Sequence, residues 1–303
     1  MTDDFEARTL PLAGGKFATL VRVPADEARG AILYVHGFAD YFFQRHVAEH
    51  FTAQGYDFYA IDLRYYGRSL RDGDTPNFVL DIAEYYEELD AAVEMMRQDG
   101  HDRLTVMAHS TGGLITPLWL DARKEHPVDA LILNSPWFEL AEPWPARTIG
   151  TALIKGVGRI APKLMLRKGL GGVYGHSIHK SHHGEWDFDL RMKPIEAFPV
   201  LAGWLRAIRI GHAKLQRGLD VRVPVLVLHS SRSWLRAKAW GPDAMTADTV
   251  LDVADMIKYG PRLGKRVTLV EIPDGMHDLF LSAEPTRTRT LREIDSWLAR
   301  QSS

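Results

Sequence analysis

Apolar residues fall along this chain in two alternating rhythms. Short runs dominated by apolar side chains occupy residues 31–35, 57–62, 104–107, 129–134, 223–229 and 266–272. Each has the length of a strand, and an unbroken apolar run is what a strand needs when both faces of its sheet are covered. Between these runs lie segments with helical spacing. In residues 81–98, Ile82, Tyr85, Tyr86, Leu89, Val93 and Met96 recur three and four apart, and Gly100 follows as a stop. Residues 42–54, the stretch beginning at Leu114, Ile115 and Leu118, and residues 284–298 read as further helices. Two short strands at 8–12 and 16–23 open the chain around a Gly14-Gly15 turn. Strands alternating with helices this regularly predict an α/β fold with a mostly parallel, doubly wound sheet, whose chemistry sits at the carboxyl ends of its strands.

The rhythm lapses between residues 135 and 221. Trp137, Trp144, Trp186 and Trp204 fall here among Gly and Pro breaks, so residues 137–221 read as a helical cap inserted between core pieces 1–136 and 222–303. Within the insertion Lys155, Arg159, Lys163 and Arg167 recur every four residues, with Leu153, Val157, Ile160 and Leu164 on the other side. That is a basic amphipathic helix, kinked or interrupted at Pro162. Its basic stripe reads first as a solvated helix face, and second as a surface for anionic lipid aggregates. Four histidines, His176, His179, His182 and His183, crowd together near Glu185 and Asp187. His179 and His183 stand at i, i+4 and would share a helix face, but no His-Glu-x-x-His order is present, so they read as loop histidines without a metal.

The most informative stretch is Ala108-His109-Ser110-Thr111-Gly112, between the apolar run 104–107 and the helix that starts at Leu114. A strand, a tight turn and a helix with serine at the apex force that serine into a strained backbone conformation. The residues two before and two after must then be very small, as Ala108 and Gly112 are. The serine Oγ is lifted clear of the sheet beside the first free N–H groups of a helix, where negative charge is favoured. This stretch resembles the G-x-S-x-G nucleophile elbow of the α/β-hydrolases, with Ala108 in place of the first glycine.

The resemblance implies an α/β-hydrolase fold with Ser110 as nucleophile, and it organises other residues. His36-Gly37-Phe38 directly follows the run 31–35, where the family carries one oxyanion-hole amide, so the N–H groups of Phe38 and Thr111 would hold the oxyanion. His36 itself reads as structural. Asp62-Leu63-Arg64-Tyr65-Tyr66-Gly67-Arg68-Ser69 resembles the family's D-x-R-x-x-G-x-S turn, in which Asp62 and Arg64 would form a bracing ion pair. The family most often places its acid beyond the strand at 223–229. Here residues 230–247 form an enlarged loop before Asp248, which stands correctly relative to the helix that follows; Asp243, Asp252 and Glu139 are rivals. His277, in a glycine-containing loop after the last strand and 29 residues beyond Asp248, occupies the position of the base, and Asp278 beside it should point away. The order Ser110, Asp248, His277 is that of α/β-hydrolases.

Within the superfamily the chain is most similar to the branch of monoacylglycerol lipases, lysophospholipases and serine-aminopeptidase-like hydrolases. That implies a serine hydrolase cleaving small acyl esters, monoacyl lipids among them, through an acyl-enzyme and without metal or organic cofactor. A peptidase of the serine-aminopeptidase type and a non-catalytic binder of a hydrophobic ligand stay open as alternatives. Peptidase relatives often carry a Gly-Gly-Ser-Trp-Gly elbow, whereas His109 and Thr111 flank this serine and favour an esterase or lipase.

Composition narrows the partners. With 303 residues, 46% hydrophobic and 25% charged, the chain can bury one large core, and a net charge of −2 provides no field to recruit nucleic acid. The absence of cysteine excludes disulfides, thiolate nucleophiles and cysteine-based zinc sites. The start, Met1-Thr2-Asp3-Asp4-Phe5-Glu6, is acidic with no basic and apolar leader, and no run approaches membrane-spanning length, so the expectation is a cytoplasmic protein with no integral membrane segment.

Overall fold

Five of the six apolar runs become strands buried on both faces; the last, 266–272, becomes an edge strand with Thr268 and Glu271 exposed, because no strand covers its outer side. The computed structural model describes residues 5–301 apart from Lys124 and His126; most of the acidic start read above lies outside the described residues. Strands β1 (Glu6–Pro11) and β2 (Phe17–Val23) pair antiparallel across Gly14 and Gly15, which take φ of 69° and 71°. Then follow β3 (Gly30–Val35), helix α1 (Arg45–Thr52), β4 (Tyr56–Asp62), α2 (Tyr86–Gln98), β5 (Leu104–His109), α3 (Gly112–Asp121) and β6 (Ala130–Asn134). A long insertion carries α4 (Thr151–Ile160), β7 (Met165–Arg167), α5 (Val173–Ile178), β8 (Val200–Leu201) and α6 (Ala202–Arg217). The sheet resumes with β9 (Val225–Ser230), α7 (Val253–Tyr259) and β10 (Val267–Ile272), and α8 (Glu284–Gln301) closes the chain.

The main sheet runs β1-β2-β4-β3-β5-β6-β9-β10, antiparallel on both sides of β2 and parallel from β4 onward. Successive residues of the central strands serve opposite layers. Leu33, Val35, Ile61, Val106, Leu131 and Val227 share a core with α2, α3 and α6, while Ile32, Tyr34, Ala60, Met107, Ile132 and Leu228 share one with α1 and α8. No position on these strands faces water, which is why their sequences show no alternation. Each fully buried aliphatic side chain stabilises the fold by roughly 1.5–3 kcal/mol. Among the described residues no helix is long and apolar enough to cross a membrane.

Three local expectations differ from what is observed. Residues 81–98 are not one helix: Asp81 and Glu84 form a capping box on a 3-10 turn, Ile82–Tyr85, that leads into α2. The helix expected over 42–54 begins only at Arg45, because Phe42 donates its N–H to Asp62 in a loop. The basic amphipathic helix stops at Ile160, before Pro162, and Arg167 lies instead in β7, paired with β8. Its apolar side is also only partly packed: Val157 is half-buried, while Leu153 and Ile160 are 65% and 86% exposed. What α4 buries is Gly158, where an added Cβ would lie 2.5 Å from the Ala202 carbonyl oxygen of α6.

That close approach sets a test of how the insertion is fastened. Gly158→Val must push α4 away from the α6 backbone, and overpacking of this kind costs about 1–3 kcal/mol. Urea unfolding should show a lower midpoint than the parent; an unchanged midpoint would mean that α4 does not lean on α6 through this glycine.

Candidate active site

Ser110 sits between β5 and α3 at φ +51°, the left-handed region that non-glycine residues rarely occupy. Residue 112 must be glycine, since a Cβ there would lie 2.6 Å from the carbonyl oxygens of both Val35 and His36. Ala108 is fully buried and fits the small-residue position on the strand side. The turn therefore presses the start of α3 against the end of β3. Ser110 also donates its N–H to the Asn134 carbonyl at 3.1 Å, which registers the turn on β6.

Three side chains from separate parts of the chain meet at this turn. Ser110 Oγ lies 3.0 Å from His277 Nε2, and His277 Nδ1 lies 2.9 Å from Asp248 Oδ2. A ring that donates its Nδ1–H to the carboxylate leaves Nε2 as an acceptor for the serine hydroxyl. Asp248 is fully buried, and its Oδ1 accepts the N–H groups of Val250 and Leu251 at 2.8 and 2.7 Å. The enlarged loop before it does not carry it away, because the loop folds back on itself: Asp248 donates its N–H to Arg232 O and accepts from Trp234 N. The rivals are otherwise engaged. Asp243 pairs with Arg232, Asp252 caps α7 by accepting from Ala254 N, and Glu139 accepts from Arg209 and Gln216.

The loop holding His277 is tied down from below. Asp278 turns away from its neighbour's ring, as the sequence suggested, and accepts from Asn134 Nδ2 at 2.7 Å, Gln44 Nε2 at 3.0 Å and Phe280 N at 3.0 Å. Neither Gln44 nor Asn134 belongs to any local motif that would have revealed this role. Tyr174 of α5 also stands edge-on to the His277 ring, with centroids 5.4 Å apart.

Phe38 and Thr111 border the same point. A Cβ on Gly37 would lie 3.1 Å from Ser110 Cβ, so the loop after β3 passes directly over the nucleophile turn. Among the described residues, neither the Phe38 nor the Thr111 N–H has a backbone acceptor. His36 is structural: it donates from Nδ1 to Gly37 O and accepts the Leu63 N–H at Nε2. His109 packs on His277 at 4.8 Å between centroids, and burial pushes its pKa down to about 4, keeping it neutral.

Asp62 and Arg64 do not pair with each other. Asp62 binds Arg68, while Arg64 binds Glu87 and Glu88 of α2. The histidines of the cluster contact rings and a hydroxyl. His183 stacks on Trp240, His176 on His182, and His179 binds Ser181; α5 ends at Ile178, so the i, i+4 pair shares no helix. Among the described residues no three His, Asp or Glu side chains are grouped to hold a metal ion.

A cavity of about 650 Å³ opens onto Ser110 and His277. Its walls are mostly apolar, with Trp137, Leu166, Phe188, Trp204 and Leu235 among them. Phe38 and Trp204 pack as a tilted pair, with ring centroids 4.3 Å apart, on the side of the β3 loop. Two polar features that sequence spacing could not reveal, Asp40 and Lys193, line it as a buried ion pair.

Residues 26–284 match the family model described as serine aminopeptidase, S33. A monoacylglycerol lipase of Mycolicibacterium smegmatis is 25% identical over 292 residues, covering 92% of this chain and 91% of that protein. Two solved structures share the fold. A soluble variant of monoglyceride lipase from Saccharomyces cerevisiae, in complex with a substrate analog, has a TM-score of 0.76 at 18% identity, covering 98% of this chain and 96% of that one. The monoacylglycerol lipase of Paleococcus ferrophilus has a TM-score of 0.66 at 20% identity, with 93% and 99% covered.

The neutral buried histidines predict an acid-side loss of stability. Burial holds His36, His46, His109 and His212 below the ordinary histidine value of 6.5. The unfolded chain then binds more protons than the folded one just below pH 6.5, so their contribution is intact above that pH and lost as pH falls. Glu88, pushed up to about 7 by burial, and Asp255, also raised by burial, act in the opposite sense. Four groups outweigh two, so scanning calorimetry should give a melting temperature lower at about pH 5 than at about pH 7.5. A melting temperature that rises towards acid would contradict the neutral state of these rings.

Proposed function

Because this chain belongs to the serine aminopeptidase S33 family of α/β-hydrolases, we propose that it is a serine-dependent carboxylic ester hydrolase with Ser110, His277 and Asp248 as its catalytic triad. The observation that carries this reading is the continuous hydrogen-bonded line from Ser110 Oγ through the imidazole to a buried carboxylate, at the mouth of an apolar cavity. In the proposed reaction His277 Nε2 takes the Ser110 proton as Oγ attacks the ester carbonyl, and Asp248 holds the tautomer and stabilises the imidazolium. The Phe38 and Thr111 N–H groups receive the negative charge that forms on the carbonyl oxygen, each worth about 3 kcal/mol by analogy with measured donors. The alcohol leaves with the proton from His277. Water, activated by the same ring, then releases the acid, and no step calls for a metal or organic cofactor.

An acyl chain is the substrate part that best suits the cavity walls, and monoacyl lipids fit both those walls and the relatives named above. Residues 137–221 act in this reading as a cap over core pieces 1–136 and 222–303. Its outer surface offers Trp144, Ile149, Leu153, Ile160 and Leu164 to the surroundings, in keeping with a substrate delivered from an apolar phase. An aminopeptidase would need free carboxylates for the substrate amine. The two that line the cavity, Asp40 and Glu142, are taken by Lys193 and Arg167. A non-catalytic binder would have no need of a complete triad.

Ser110→Ala should lower kcat/KM for p-nitrophenyl esters by about 10⁴-fold or more, and Asp248→Asn by about 10³- to 10⁴-fold, with circular dichroism unchanged. Near-normal turnover in Ser110→Ala would refute the assignment. Across esters from acetate to laurate, kcat/KM should rise with chain length; a maximum at acetate would contradict an acyl-chain cavity.

A further inference from the structure

Lys193 is a lysine almost without water. Its side chain is 8% exposed, its Nζ lies 2.6 Å from Asp40 Oδ1, and the Asp40 side chain is 2% exposed. The rings of Phe43, Tyr174 and Phe188 surround the ammonium, with centroids at 5.7, 5.7 and 5.8 Å. Desolvating two such ions is expensive, and their attraction often no more than recovers the loss, so stability alone is a poor reason for this pair. Its location offers a better one. Asp40 lies two residues beyond Phe38 in the loop that passes over Ser110, and Ala39 between them sits at φ +49°, where alanine has no preference of its own. Something outside the loop must hold that conformation.

The holding contacts come from the insertion, 153 residues further along the chain. Asp40 Oδ1 accepts from both Lys193 Nζ and its neighbour's N–H, that of Tyr41 at 3.0 Å, so one carboxylate oxygen joins the ammonium to the loop backbone. A second tie runs alongside, from Asp189 N–H to the Tyr41 hydroxyl at 2.8 Å. The same aromatic wall reaches the base, since Tyr174 touches both Lys193 and the His277 ring.

We propose that Lys193 is a positioning residue that, through its ion pair with Asp40, holds the loop of residues 36–40 with the Phe38 N–H turned towards Ser110. The oxyanion-binding half of the site is then complete only while the insertion is seated on the core. This rests on the reading of Phe38 as an oxyanion donor.

The double variant Asp40→Asn/Lys193→Met separates positioning from bulk stability, because it removes both charges together while the introduced amide oxygen can still accept the Tyr41 N–H. Lys193→Met alone strands a buried carboxylate and should lower both the melting temperature and kcat. The double variant should recover the melting temperature yet keep kcat about 10²-fold low with KM within about 3-fold, the pattern for a displaced oxyanion donor. Lys193→Arg, which retains charge and reach, should keep most of kcat. Recovery of both melting temperature and kcat in the double variant would overturn the proposal, as would a raised KM at unchanged kcat, which would make Lys193 a substrate contact. If the wild type hydrolyses no ester, the functional reading fails, and a crystal structure of the double variant decides this inference alone. A Phe38 N–H turned away from Ser110 supports it, and an unmoved loop overturns it.

Discussion

The site depends on a turn too sharp to admit a side chain at residue 112. With Ser110 at φ +51°, α3 starts so close to the end of β3 that any Cβ on Gly112 would collide with the carbonyl oxygens of Val35 and His36. The left-handed serine costs of order 1–2 kcal/mol. The surroundings offset it: β5 is buried along its whole length, and α3 buries every residue from Gly112 to Leu120. Strain at one residue is thereby sustained by a core that would have to come apart to relieve it. The same closeness brings the loop after β3 against the serine, a Cβ on Gly37 lying 3.1 Å from Ser110 Cβ.

The remaining groups arrive from the carboxyl ends of β9 and β10, where a parallel sheet gathers its loops. Each is held by backbone or buried polar contacts and not by the Ser110–His277–Asp248 hydrogen bonds alone. Asp248 is fixed by two N–H donors and by the returning strand-like pairing of residues 232–234, and the His277 loop by Asp278 on Asn134 and Gln44. In the reaction proposed above, such support keeps donor and acceptor in register before substrate enters, as electrostatic stabilisation of a transient oxyanion requires. The insertion completes the enclosure, bringing Tyr174 against the His277 ring and Lys193 against Asp40 in the loop after β3.

Much of this was legible in the sequence, and the limits have physical causes. Central strands declared themselves because burial on two faces removes polar residues, and the serine turn declared itself because Gly112 has no alternative. Asp248 was harder to single out from Asp243 and Asp252, since the deciding contacts are backbone pairings inside a long loop that leave no side-chain pattern. The orientation of α4 was not legible either. Amphipathic spacing says that a helix has an apolar side but not that a partner covers it, and here Gly158 makes the contact while Leu153 and Ile160 face outward. The D-x-R-x-x-G-x-S resemblance pairs Arg64 with Asp62, whereas its partners Glu87 and Glu88 lie on a helix some two dozen residues away. No local rule joins Asp40 to Lys193 across the insertion.

In the reaction proposed above Ser110 is an activated nucleophile, set apart by its strained turn together with its hydrogen bond to His277. Reaction of the folded protein with a fluorophosphonate, followed by mass spectrometry of its peptides, tests that directly. A single phosphonylated residue, Ser110, is expected, with modification falling to background in His277→Ala. A folded protein that takes up no phosphonate, or that carries it on a different serine, would contradict it.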